Sequence, residues 1–150
     1  MRFSVASAAL VLILALPSTP AFASASGDLL DAASLADLES RAEHAQVKEQ
    51  CFLYTQLVHD YVEVAGRQLA AGEMEQANAS LKRVEAFADR IHTERDTKKL
   101  KNAETLMHMA TYHLSQFMHL VSDEDKAALE ATLKRLDKLH DELLAQVFAH

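Results

Sequence analysis

Methionine and histidine crowd one short stretch of this sequence, Met107-His108-Met109, His113 and Met118-His119, within a chain of 150 residues that holds eight histidines and five methionines. Thioether sulfur and imidazole nitrogen are ligands for soft and borderline metals, copper first and zinc second. On a helix, Met109 and His113 stand one turn apart and meet on one face. His108 and His119 also share a face, but eleven residues put them roughly 16 Å apart along the axis, too far to hold one ion together. This spacing reads either as histidines that are solvated or sit at helix boundaries, or as a metal-binding segment centred on Met109 and His113, with His108 and His119 as further metal-ligand candidates. A third donor must come from another helix or another chain. Met107 and Met118 fall on the apolar stripe of the same helix, where methionine is packing filler.

Other chemistries fit the sequence less well. A ferritin-like di-metal site takes a glutamate from two helices and Glu-x-x-His from two others. Asp89-x-x-His92 and Asp137-x-x-His140, with Glu63 and Glu104, have related spacing, yet Asp89 and Glu104 project about 90° or more from their apolar stripes. Only His140 points inward, as a hydrogen-bonded core histidine does. There is no Gly-x-Ser-x-Gly elbow and no glycine-rich loop for an oxyanion or a phosphate, and Cys51 sits in an apolar stripe where a thiolate is costly. The expectation is a protein that is not an enzyme and calls for no organic cofactor. Arg90, Arg95, Lys98, Lys99 and Lys101 form one basic cluster, read as cations at a helix C-terminus and a solvated turn.

Helices must carry these side chains. Both prolines, Pro17 and Pro20, lie in the first twenty residues, and Gly27, Gly66 and Gly72 are the only glycines. Apolar residues after residue 34 recur with a 3.6-residue period and without sustained alternation, so the chain reads as all-α. The first long helix is predicted from Ser34 to Ala71, with Gly72 as its stop. Its main stripe is Val47, Cys51, Tyr54, Val58, Tyr61, Ala65 and Leu69. The earlier group Leu35, Leu38, Ala42 and Ala45 points about 180° away, so either the helix breaks near residues 44–46 or its first half packs on something else. A second helix is expected over Glu73 to about Thr93, and a third carries the heptad Leu100, Ala103, Met107, Ala110, Leu114, Phe117, Val121. Ser122-Asp123-Glu124-Asp125 reads as a capping box opening the fourth helix, with stripe Leu129, Leu133, Leu136, His140, Leu143, Val147. Short connections then predict an up-and-down four-helix bundle over residues 35–150, with a long first helix and a loose N-terminal arm over residues 24–34.

Tyr61 to Val84, with Gly72 at the turn and Ala77, Leu81 and Val84 after it, resembles the middle of a tetratricopeptide hairpin. The resemblance implies two helices joined by a tight turn and packed through small residues. It covers that segment alone, with no second copy at the 34-residue spacing of such repeats.

Arg2, the apolar run Val5 to Leu16, then Pro17-Ser18-Thr19-Pro20 and Ala21-Phe22-Ala23 have the charged, hydrophobic and cleavage regions of a secretory signal peptide, residues 1–23, cut after Ala23. About a dozen apolar residues fall short of the roughly 20 that span a bilayer. The expected location is periplasmic or secreted. Removing residues 1–23 takes away Arg2 and no acid, so 15 Lys+Arg become 14 against 22 Asp+Glu, a formal charge of -8. Such a surface repels phosphate backbones, and nucleic acid is excluded as a partner. Cys51 is the single cysteine. It reads either as a small buried hydrophobe or as a disulfide link to a second chain.

Phe52, Leu53 and Leu57 lie outside the main stripe of the first helix, more apolar surface than one core requires. The leading expectation is therefore an exported, non-enzymatic helical protein that binds a protein partner or itself, as a homodimer, through Phe52, Leu53 and Leu57. Metal binding at the third helix is the alternative.

Overall fold

A carboxylate at the right distance from a free amide starts the first helix. Asp31 accepts the Ser34 backbone N–H at 2.7 Å, satisfying one of the unpaired amides of the first turn of α1 (Ala32–His44). The cap is thus Asp31 and not Ser34, and the last residues of the expected arm belong to the helix. The computed structural model describes residues 31–94 and 97–149. The signal-peptide reading of residues 1–23, and residues 24–30 of the arm, lie outside the described residues.

The described residues are about 85% helical and contain no strand. Five α-helices follow one another: α1, α2 (Val47–Ala70), α3 (Met74–Ala88), α4 (Leu100–Phe117) and α5 (Asp123–Ala149), with a single 3-10 turn at Met118–Leu120. No described helix is long and apolar enough to cross a membrane.

The long first helix is broken. Ala45 and Gln46 are extended, and the half-turn phase difference between the two apolar groups is the reason. A continuous helix would point Leu35, Leu38 and Ala42 away from the stripe of α2, whereas the break lets α1 pack against α2 and buries all three. The Gln50 side chain donates back to the Ala42 carbonyl at 3.4 Å, covering one of the acceptors left free where α1 ends. Glu39 then fixes α1 in place, accepting from Tyr61 on α2 at 2.6 Å and from Arg83 on α3.

The turn between α2 and α3 is a Schellman closure. The amides of Gly72 and Glu73 return to the carbonyls of Leu69 and Gln68, and Gly72 adopts φ 75°, a backbone state open to glycine at little cost. The helical hairpin expected from Gly72, Ala77, Leu81 and Val84 is present. The order of packing then departs from the expected one. The second helix ends at Ala88 rather than near Thr93, and the chain runs on far enough for α4 to pack on α2 and α5, with α3 on α2 and α5. The Lys98 amide donates to the Lys48 carbonyl at 2.8 Å, and its ammonium reaches Glu49 at 2.9 Å. That anchor starts α4 beside the start of α2, so the two run parallel.

Leu57, Met107, Leu114, Leu129, Leu136 and Leu143 fill the space among these helices and are fully buried. Each contributes roughly 1.5–3 kcal/mol through removal from water. The capping box is present in altered form: the amides of Asp125 and Lys126 return to the Ser122 carbonyl, while the Ser122 hydroxyl donates to the Asp125 carboxylate at 2.8 Å.

Candidate metal centre

The parallel pairing of α2 and α4 sets which side chains meet. Gly66 on α2 lies against the Phe117 ring, and a Cβ built on it would fall inside that ring. This close approach fixes the separation and register of the two helices. One helical turn earlier on each, Glu63 faces His113, and the carboxylate Oε1 bonds His113 Nδ1. His59 stands one turn before Glu63 on the same face of α2. One ligand atom from each of His59, Glu63 and His113 lies within 4.8 Å of the others.

His59 carries the most informative detail. Its Nδ1 stands 3.1 Å from Oδ1 of Asp60, and the two side chains are only 16% and 8% exposed. Placing the ring proton on Nδ1 satisfies that oxygen and leaves the Nε2 lone pair without a partner, and Nε2 is buried. Oδ2 of Asp60 is likewise buried and unpartnered. Leaving a buried polar atom unpaired costs about 1–3 kcal/mol, so two beside a possible ligand set require an explanation. A carboxylate that holds one imidazole nitrogen and turns the other towards an ion is the usual support of a metal-bound histidine. Two imidazoles and one carboxylate suit divalent zinc or copper. His59 and Asp60 also line a groove of about 550 Å³ between α2 and α4, with Phe52, Lys101 and Leu106 on its other walls.

The residues predicted from sequence separate here. His113 belongs to the cluster. Met109 is on the surface of α4, 38% exposed. His108 is exposed and lies against the His140 ring, while His119 is exposed in the 3-10 turn. The third ligand expected from another helix comes from α2, which supplies both His59 and Glu63. The signal for them is the spacing His59-x-x-x-Glu63, one turn of helix. The ferritin-like set does not assemble: Glu63 takes His113, Glu104 takes His140, and Asp89 takes Arg135.

The contact surface needs correction. Leu57 is 0% exposed, and Phe52 and Leu53 are half-buried against the core, with the Lys99 ammonium 4.5 Å above the Phe52 ring. The reason is that α2 packs against α1, α3 and α4 at once and needs apolar residues around most of its circumference. Cys51 is a free, fully buried thiol, and burial pushes its pKa up to about 11. A disulfide to a second chain has no access to that sulfur in this fold.

Comparison with family models, curated proteins and solved structures finds no match.

Proposed function

We propose that this protein binds one divalent copper or zinc ion between α2 and α4 and carries it in an exported compartment. His59, Glu63 and His113 are the ligands. Asp60 positions His59 by accepting its Nδ1–H. The observation that carries the reading is that one ligand atom each of His59, Glu63 and His113 lies within 4.8 Å of the others, on a histidine that also keeps a buried, unpartnered Nε2. Three protein ligands leave a coordination position open, and Glu63 and His113 are each about one-third exposed, so an ion can enter and leave from that side. The segment Arg2 to Ala23 supports export.

Contact with a protein partner or a second copy is less well supported. The exposed large apolar side chains Val47, Met109, Tyr112, Leu120 and Phe148 are spread over α2, the α4 region and α5, and scattered exposed apolar residues are ordinary on any protein.

Calorimetric titration of the purified, metal-stripped protein with zinc or copper(II) tests the proposal. The tightest binding step is expected to disappear in His59→Ala and in His113→Ala and to persist in Met109→Ala. Retention of that step in His59→Ala would overturn it.

A further inference from the structure

The α2 and α4 site has a counterpart. On α4, Glu104 and His108 are one helical turn apart, as His59 and Glu63 are on α2. Across from them on α5, His140 Nε2 stands 3.0 Å from Glu104 Oε1, just as His113 meets Glu63. The rings of His108 and His140 are 5.2 Å apart between centroids, closer than the 6.2 Å between His59 and His113. Each group is therefore two histidines and one glutamate, with the same helix supplying a His and a Glu at i,i+4 and the neighbouring helix supplying the second His; among the described residues only the first already holds its three ligand atoms within 4.8 Å of one another, and the second is complete only when His108 turns inward. Glu104 and His140 are each 18% exposed, a more sheltered pair than Glu63 and His113. Nine residues separate Glu104 from His113, half a turn out of phase, so the two groups lie on opposite faces of α4.

We infer that Glu104, His108 and His140 form a second site for a divalent transition-metal ion, between α4 and α5. It is independent of the first, because no ligand is common to both. It is also weaker. His108 is exposed and must turn towards the Glu104 and His140 pair, whereas Asp60 already holds His59. Supporting carboxylates of that kind are worth about 10- to 100-fold in metal affinity. The second ion should therefore bind at least about tenfold more weakly than the first. The helix α4 then holds one ion tightly on one face and exchanges another on the other.

Zinc alone is the probe. Native mass spectrometry and calorimetry of the purified protein should show two ions per chain in the wild type and only the tight one in His108→Ala. Because His108 is exposed, that variant keeps the fold, and its helicity and thermal midpoint check this. His140→Gln should remove the same weak step. His59→Ala should leave the weak step and remove the tight one, which separates failure of this inference from failure of the first site. Two undiminished steps in both His108→Ala and His140→Gln, or a single step in the wild type that His108→Ala does not change, would overturn it.

Discussion

The seam where α1 meets α2 and α3 and the seam where α2 meets α4 are both rich in polar groups, and they treat them oppositely. In the first, each group has a partner. Glu39 accepts from Tyr61 and Arg83, and the Arg83 guanidinium also covers the Tyr61 and Phe87 rings at 5.5 and 5.1 Å. Arg90 reaches Glu43 and the Tyr54 hydroxyl and lies over the Tyr54 ring. In the second, His59 and Asp60 are more deeply buried than most of these groups, yet each keeps an atom unpaired. The first pattern is how a chain attaches a short helix. The second costs stability unless something outside the chain completes it, and this difference is why the proposed ion is placed between α2 and α4.

Substitutions can break the contrast. The largest effect is expected from Gly66→Ala, which puts a methyl group where the Phe117 ring lies. Overpacking of this kind costs about 1–3 kcal/mol, read from denaturant unfolding, and pushing α4 outward should also weaken the ion site. Glu39→Gln removes the charge that gathers Tyr61 and Arg83, at a cost of about 1 kcal/mol for a partly exposed network. Zinc affinity should be unchanged, since Glu39 belongs to the other seam. The same residue gives a pH test. Burial raises the Glu39 pKa, but the hydrogen bonds from Arg83 and Tyr61 outweigh it and hold the carboxyl below its ordinary value of 4.5. A depressed carboxylate contributes stability in full above its unfolded value and loses it as pH falls through the folded one. The stability gap between wild type and Glu39→Gln should therefore be constant above about pH 5 and close below 4.5. The smallest stability effect belongs to the double variant His59→Phe/Asp60→Leu. Replacing both members of the buried pair with apolar side chains of similar shape should be nearly neutral in the metal-free protein while abolishing the tight ion. A loss of several kcal/mol there would make His59 a core residue instead.

The helical content was legible because proline is confined to residues 17 and 20 and the apolar period is steady. Gly72 announced its turn, since a positive φ is what glycine permits. The break at Ala45 and Gln46 showed only as two apolar groups out of phase, with no proline or glycine to place it. The packing of α4 on α2 was hidden, because it depends on the Lys98 to Lys48 bond, a contact fifty residues apart. The site was half legible for the same reason. His113 stands out beside methionines, but the residues it meets, His59 and Glu63, come from a helix that sequence order does not place next to it. Leu57 misled because a helix with three neighbours buries more than one stripe.

Anomalous scattering at the zinc edge, from crystals grown with zinc, tests most directly whether an ion binds between α2 and α4. A peak is expected at roughly 2.0–2.2 Å from the free nitrogen of His59, a Glu63 carboxylate oxygen and a His113 nitrogen, with Asp60 still holding His59 Nδ1. A zinc-loaded crystal with no peak at that position, or with ions only at Met109, His119 and other surface groups, would contradict it.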